Sequence, residues 1–208
     1  MRLWSDSFTD GGLIPAECAF AAIDPVKHAR LSANRNPHFA WDDVPTGTQS
    51  LILFCYDIDA PTVGTNVNKE GLFVPEALPR ADFYHWTLVD IPVAMRSIAE
   101  GKFSELVTPH GKPGPLVPFT IKNGTEHQLR QGVNDYTSWF ASDPDMAGEY
   151  YGYDGPCPPW NDLRVHTYLF CVYALDVPRL AIRGHILDEA QMYGVYSLNP
   201  DLAATLVP

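Results

Sequence analysis

The chain has 208 residues, with 14 Lys and Arg against 25 Asp and Glu, which gives a formal net charge of −11. Nucleic acids and anionic membrane surfaces are bound through clustered basic residues, so this charge balance argues against both as partners. The length is sufficient to bury a sizeable core, and no linker composition interrupts the chain. We therefore expect a single domain over 1–208.

The composition also limits the fold class and the compartment. The 19 prolines, 15 glycines and 12% aromatic residues predict many short strands joined by turns, with little helix. The N-terminus lacks the apolar segment of a signal peptide, and no run approaches the ~20 apolar residues of a membrane span. We expect a cytoplasmic protein without integral membrane association. The four cysteines show no paired spacing, so we expect no metal site. We also expect no cofactor.

Three long apolar runs predict the central strands. They cover 50–59, 82–92 and 166–176, and a proline follows or ends each of them. Their nearly continuous apolar character is typical of strands that are buried on both faces. Residues 39–43 and 194–200 are weaker candidate strands.

Two polar segments interrupt this pattern, at 60–81 and 101–150. Both are rich in Gly and Pro and show little periodicity, which predicts long loop excursions. The best predicted helix is 184–194, with Gly194 as its C-cap. Its apolar residues at helical spacing are Ile186, Leu187, Ala190 and Tyr193.

Polar side chains stand at the ends of the three predicted central strands. Asp57 and Asp59 end the first strand, His85 lies in the second, and His166 and Tyr168 open the third. Residues two apart on a strand share a face. If the strands are neighbours, two carboxylates, two imidazoles and a phenol gather at one end of the sheet. Each residue taken alone also fits an ordinary turn or core role.

The segment 152–159 reads "GYDGPCPP" and precedes the third strand. Each proline fixes φ near −65°, so the loop is predicted to be a rigid wall beside this cluster. Pro156 and Pro158 contribute to that wall, and Gly155 permits a tight turn. Cys157 is interpreted as a small filler rather than a nucleophile, because nothing in the sequence fixes a base beside it.

Three motifs together resemble the phosphatidylethanolamine-binding protein family, and its bacterial Raf-kinase-inhibitor-like branch most closely. They are "DIDAP" at 57–61, "HW" at 85–86 and "GYDGPCPPWNDLRVHTY" at 152–168. Ile58 stands where the family usually has a proline. The resemblance spans roughly 40–200, and the chain is short between Pro178 and 184, which predicts a more open rim on one side of the pocket.

The resemblance implies an antiparallel β-sandwich with few peripheral helices and long loops. It also implies a small preformed pocket that binds a phosphate-bearing group, such as a phosphoethanolamine head, or another anion. Members act as binding or inhibitory modules, so we expect no catalytic residue, and regulation of a kinase or protease is one further role. The residues carried over to the pocket are Asp57, Asp59, Ala60, Pro61, His85, Gly155, Pro156, Pro158, His166 and Tyr168.

The two carboxylates raise an electrostatic difficulty, because they repel a phosphate. A protonated His85 or His166 would offset this, as would the backbone N–H groups of the loop. We favour a zwitterionic ligand whose ammonium group faces Asp57 or Asp59 while its phosphate meets the histidines. Anion binding should then weaken as the pH rises through the pKa values of these histidines.

Two other readings use the same residues. A hydrolase of small esters would use His and Asp as an acid–base pair, with Asp57 orienting His85 or His166. Alternatively, the pocket is vestigial and the segment 101–150 binds a partner protein or forms a homodimer. In that case "YTSWF" at 136–140 would supply apolar anchors.

Overall fold

The structure, a computed structural model, describes residues 1–120, 124–179 and 186–206. The strands in these ranges are β1 (Arg2–Trp4), β2 (Ala21–Asp24), β3 (His28–Leu31), β4 (Phe39–Asp42), β5 (Ser50–Pro61), β6 (Arg80–Pro92), β7 (Ser97–Ile98), β8 (Gly111–Lys112), β9 (Leu116–Thr120), β10 (Glu126–Gln131), β11 (Glu149–Tyr150), β12 (His166–Leu175) and β13 (Ile186–Tyr196). The helices are α1 (Tyr136–Trp139) and α2 (Pro200–Leu206), with a 3₁₀ turn at Ala16–Cys18.

The central sheet has six antiparallel strands in the order β13–β12–β5–β6–β10–β9. The predicted strands 50–59, 82–92 and 166–176 correspond to β5, β6 and β12, which lie side by side. The register pairs Asp57 with Tyr168 on one side and with Phe83 on the other. The strand ends that carry the polar residues are therefore adjacent, as the sequence predicted.

A second sheet, β1–β4–β7, packs against one face of the central sheet and completes the predicted β-sandwich. Its middle strand confirms the weaker prediction at 39–43. Phe39 of β4 and Phe170 of β12 are both fully buried, and their ring centroids lie 4.8 Å apart across the core. Such aromatic contacts add to the burial of apolar area that stabilises the sandwich. The extent of the domain, 1–208, stays a prediction.

The predicted helix at 184–194 is wrong for the residues that the structure describes. Ile186–Tyr196 form β13, which pairs along its length with β12 and so satisfies its backbone groups in the sheet. Gly194 is a packing position rather than a helix cap, because an added Cβ would lie 2.5 Å from Ile14 and 2.8 Å from Phe8. The predicted strand 194–200 is correct only to Tyr196, since α2 begins at Pro200. Residues 180–185, where a shortened rim was expected, lie outside the described residues.

The segment 101–150 is also more regular than its sequence predicted. β10 pairs with β6 and β9 pairs with β10, so this segment extends the central sheet by two strands. A parallel pair, β8 with β11, and the short α1 follow. Each of these elements has only two to six residues, and periodicity is not visible in the sequence over so short a length. The segment 60–81 is a loop except at its two ends, where β5 ends and β6 begins.

Within the described ranges, no helix has the length and hydropathy that a membrane span requires.

Candidate functional site

A cavity of about 370 Å³ lies between the ends of the central strands, the β2–β3 hairpin, α1 and the 152–159 loop. It is within the ~300–1,000 Å³ range of small-molecule sites. Six of the predicted site residues line it, namely Asp57, Ala60, Pro61, His85, Pro158 and His166. The structure thus brings residues from β5, β6, β12 and the loop into one cavity.

The other four predicted residues surround the cavity without lining it. The N–H of Gly155 donates to Asn34 Oδ1 at 2.8 Å, and the carbonyl of Pro156 accepts from Phe20 at 2.9 Å, so both hold the loop in place. Asp59 and Tyr168 lie in the sheet behind the lining residues, and both are buried.

His85 lies at a β-bulge in β6. The register pairs Trp86 with Cys55 and Tyr84 with Tyr56, which leaves His85 as the extra residue on its strand. A bulge turns a side chain away from the usual alternation, and here it makes the successive residues His85 and Trp86 both buried. This local irregularity aims the imidazole towards the cavity.

The imidazole of His85 is held as a neutral ring. Its Nδ1 donates to the backbone oxygen of Asp154 at 2.7 Å, which leaves Nε2 without a partner among the described residues. Burial lowers the pKa of His85, and the nearby carboxylates of Asp57 and Asp154 only partly oppose this. Nε2 is therefore a hydrogen-bond acceptor near neutral pH and becomes a donor only when the ring takes up a proton.

His166 is held as a charged ring between two carboxylates. Its Nδ1 lies 2.7 Å from Asp57 Oδ2, and its Nε2 lies 3.1 Å from Asp162 Oδ2. Burial alone would lower its pKa, but the two carboxylates outweigh burial and raise the pKa to about 9. Both N–H groups are used by these contacts, so the charge of His166 is neutralised within the protein.

The carboxylates themselves are also fully engaged. Asp162 accepts two hydrogen bonds from Arg80, at 2.6 and 2.9 Å. Asp59 accepts from the N–H of Thr167 at 2.9 Å and from Arg164 at 3.0 Å. Asp59 therefore joins the end of β5 to the start of β12 and to Arg164, and it is buried like Asp57 but does not line the cavity.

Tyr168 has a buried hydroxyl group with no hydrogen-bond partner in the described part of the chain. Its ring lies 5.2 Å from the ring of His85. Burial and then the neighbouring charge of Asp57 raise the pKa of Tyr168, so the phenol stays neutral. An unpaired buried hydroxyl is costly, and the side chain of Asp57 is the neighbouring acceptor that raises the pKa of Tyr168 further.

A buried network fixes the 152–159 loop from behind. The Asp154 carboxylate accepts from Asn34 at 2.7 Å and from Asn134 at 2.8 Å, and it pairs with Lys112 at 3.1 Å. The same residue holds His85 through its backbone oxygen. Burial lowers the pKa of Lys112, while the charge of Asp154 opposes this. The sequence analysis assigned no role to Asp154 or to its partners Asn34, Asn134 and Lys112. The one visible signal was an aspartate within the Gly- and Pro-rich loop 152–159.

Two further lining residues, Cys157 and Arg30, bear on the chemistry of the cavity. Burial raises the pKa of the Cys157 thiol to about 12, which fits a filler better than a nucleophile. Arg30 lines the cavity from β3, is exposed, and forms no ion pair among the described residues. It is the only Lys or Arg that lines the cavity in this part of the chain, and the sequence analysis did not single it out.

Comparison with known proteins identifies the family of the chain. The family model described as phosphatidylethanolamine-binding protein matches residues 4–197. The UPF0098 protein YbhB of Escherichia coli is 29% identical over 182 residues, which cover 88% of this chain and 82% of YbhB. A UPF0098 protein of Aquifex aeolicus is 29% identical over 209 residues, covering 94% and 88%.

Solved structures agree on the fold. YbcL of Escherichia coli, described as a member of the mammalian family, aligns with a TM-score of 0.61 at 21% identity over 94% of this chain and 97% of that chain. CT736 of Chlamydia trachomatis, described as a homolog of phosphatidylethanolamine-binding proteins, aligns with a TM-score of 0.58 at 22% identity, covering 94% and 96%. The sandwich, the three motifs and the match over nearly the whole chain lead to one conclusion: the chain belongs to the phosphatidylethanolamine-binding protein family.

Proposed function

We propose that this chain is a non-catalytic binding protein whose cavity takes a small phosphate-bearing group. The observation that carries this proposal is that His85 and Arg30 line the same cavity, and that neither the Nε2 of His85 nor the guanidinium of Arg30 has a hydrogen-bond or ion-pair partner among the described residues. When His85 takes up a proton, both groups donate hydrogen bonds and both carry positive charge. These are the properties that a phosphate oxygen requires.

The ion pairs around the cavity reduce the repulsion that its carboxylates would exert on a phosphate. Asp57 and Asp162 are balanced by His166 and Arg80, so this buried cluster carries no net charge. Asp59 is balanced by Arg164 in the same way. The acidic residues around the cavity therefore repel an anion much less than their number suggests.

The same geometry changes the role that we assign to each histidine. His166 has no N–H left for a ligand, so it supports Asp57 rather than contacting a phosphate. His85 is the group that responds to the ligand. A bound anion favours the charged ring, so binding raises the lowered pKa of His85 and takes up a proton. Affinity should increase as the pH falls.

Isothermal titration calorimetry with phosphoethanolamine at pH 6 and pH 8 tests this function. Wild type should bind more tightly at pH 6, Arg30→Gln should bind more weakly at both pH values, and His85→Gln should lose most of the difference between them. The matched control is Arg35→Gln, which removes another arginine that does not line the cavity. Binding that is absent at millimolar ligand would refute the proposal.

A hydrolase is the second candidate, because a neutral His85 with a free Nε2 has the form of a general base. Asp57 does not orient this ring, since it pairs with His166, and the Cys157 thiol is held protonated. Turnover of p-nitrophenyl phosphate or p-nitrophenyl acetate that is lost in His85→Gln would establish this activity. We expect no such turnover.

Regulation of a partner enzyme, a cytoplasmic location and a homodimer through 101–150 stay predictions. Of the apolar anchors expected at 136–140, Tyr136 is buried in the core and Phe140 lines the cavity. Trp139 also lines the cavity, but it is 48% exposed and is the residue of this group that a partner protein could contact.

A further inference from the structure

The β2–β3 hairpin forms one wall of the cavity and stands apart from the two sheets of the sandwich. Four of its residues line the cavity, namely Ala21, Ala29, Arg30 and Leu31. Its two strands pair with each other and with no other strand of the described chain. An isolated two-stranded hairpin is only marginally stable in water. Other contacts must therefore hold this wall in place.

Hydrogen bonds to two neighbouring segments anchor the base of the hairpin. The carbonyl of Pro156 accepts from the N–H of Phe20 at 2.9 Å and from the N–H of Ala21 at 3.3 Å. The hydroxyl of Tyr196 donates to the carbonyl of Ala21 at 2.9 Å. These bonds fix the start of β2, and they leave the turn at 25–27 dependent on contacts of its own.

His28 joins the tip of the hairpin to the rest of the chain. Its Nε2 lies 2.6 Å from Glu70 Oε1 in the loop 62–79. Its ring stacks on the ring of Trp160, with centroids 3.8 Å apart and an interplanar angle of 12°. In the described part of the chain, every other hydrogen bond or ion pair of residues 24–30 stays within the hairpin. The tip thus has a single polar link to the opposite walls of the cavity.

This contact spans three of the segments that line the cavity. Each of its members lies within two positions of a lining residue, which are Ala29, Asn68 and Pro159. The other two segments are already joined to each other, because the N–H of Trp160 donates to Asn68 Oδ1 at 3.0 Å. The side chains of His28 and Glu70 are 39% and 79% exposed, so the contact lies at the outer edge of the cavity.

The backbone at His28 would suit a different residue type. Its φ is 65°, in the left-handed region that Gly and Asn adopt more readily than most residues. A turn that needed only this geometry would be served by either of them. An imidazole at such a position therefore points to a role for the side chain.

We propose that the β2–β3 hairpin, residues 21–31, is a strap that closes over the cavity, hinged at Ala21 and held shut by the contact of His28 with Glu70 and Trp160. The contact is strongest while the imidazole carries a proton, because the charged ring attracts both the carboxylate and the face of the indole. The strap holds more firmly below about pH 6 than above about pH 8. The inference goes beyond the proposed function and does not depend on it, since none of these three residues takes part in phosphate binding.

The other charged groups around His28 leave Glu70 as the partner through which protonation acts. Asp24 is the cross-strand neighbour of His28, but its Oδ1 already accepts from two N–H groups of the turn at 2.8 Å. On the loop that carries the stacked indole, Asp162 is buried and bound to Arg80. The basic neighbours in the hairpin and in the loop 62–79 repel a charged imidazole, and they are Lys27, Arg30 and Lys69.

Spin labels at two exposed positions measure the opening of the strap. Val26→Cys marks the tip, where Val26 is 84% exposed. Leu72→Cys marks the loop 62–79, which Asn161 holds by donating to the carbonyl of Leu72 at 2.9 Å. Pulsed electron paramagnetic resonance gives the fraction of molecules at the longer, open distance, and that fraction should rise about two- to fivefold from pH 5.5 to pH 8.5. Wild type treated with the same label gives the background from the native cysteines.

Two variants of the labelled chain test the residues that hold the strap. His28→Asn removes the imidazole and keeps a residue that tolerates the left-handed backbone, so it should show the larger open fraction at both pH values. Glu70→Gln should show the larger open fraction already at pH 5.5. Glu76→Gln is the matched control, because Glu76 is exposed in the same loop and forms no ion pair among the described residues. It should behave like the labelled parent.

The remaining outcomes decide against the proposal. The same distance distribution at both pH values and in all variants would overturn the strap. A pH dependence that persists in His28→Asn would overturn the assignment of His28 as the group that holds it. If the labelled chain does not fold, amide hydrogen exchange at pH 6 replaces the distance measurement: Glu70→Gln should lower the protection of the β3 amides about two- to fivefold relative to Glu76→Gln, and equal protection would overturn the proposal.

Discussion

Replacement of His166 by Gln should remove a pH dependence of folding stability that the wild type shows. The folded pKa of His166 is about 9, against 6.5 for an unperturbed ring. This raised value means that the imidazolium stabilises the folded state fully below about pH 6.5 and that the contribution is lost as the pH rises through about 9. The difference of about 2.5 units corresponds to about 3 kcal/mol, at ~1.36 kcal/mol per unit.

Urea unfolding of wild type and His166→Gln at several pH values between 6 and 9.5 measures this contribution. The free energy of unfolding of wild type should fall by about 3 kcal/mol more than that of the variant over this range. Comparing the two proteins cancels the titration of cysteines and tyrosines, which is common to both. His110→Gln is the matched control, because it removes an exposed imidazole.

The variant itself should be destabilised at pH 6, because Asp57 and Asp162 lose the charge between them. If it does not fold, the ring protons of His166 in wild type still report the pKa directly by NMR. The same pH dependence in wild type and variant, or a ring that titrates near 6.5, would refute the reasoning that the two carboxylates hold a charged imidazole.

Three further perturbations test the surroundings of the cavity. Lys112→Met removes the charge that balances the buried carboxylate of Asp154, so it should lower the free energy of unfolding by about 3–5 kcal/mol. Urea unfolding measures this change, and an unchanged free energy would contradict the role of the ion pair. Asn161 donates to three backbone carbonyls in the loop 62–79; Asn161→Ala should therefore speed proteolysis within that loop, and an unaltered cleavage rate would count against its anchoring role. Gly194→Ala brings a Cβ within 2.5 Å of a core side chain and should cost about 1–3 kcal/mol by thermal unfolding, whereas a neutral effect would show that the core yields there.

Local patterns were sufficient to predict the centre of the fold. The runs that became β5, β6 and β12 are long and almost continuously apolar, as expected of strands buried on both faces. Because they are adjacent in the sheet, the polar residues at their ends were also predicted to gather. The helix predicted at 184–194 was wrong because a long-range contact decided the structure of its described part. A few apolar residues have helical spacing there, but residues from Ile186 onward pair with β12, and no local pattern reveals that pairing.

The pairing of residues inside the site could not be predicted in the same way. The bulge in β6 that turns His85 towards the cavity has no signal in the local sequence, and the pairing of Asp57 with His166 joins residues that are 109 positions apart. The partners of Asp154, such as Lys112 and Asn34, are distant in sequence and meet it only after the sandwich has formed. Sequence alone therefore indicated a cluster of ionisable residues, while the protonation state of each histidine required the three-dimensional contacts.

The most direct test of the central claim is the ring NMR spectrum of His85 during a titration with inorganic phosphate at pH 6. A phosphate that binds at this end of the cavity should shift the Nε2 signal of His85 saturably towards the protonated form, while His166, already charged and bonded on both nitrogens, should shift much less. A spectrum in which His85 stays unchanged at millimolar phosphate would contradict the claim that this cavity binds phosphate-bearing groups.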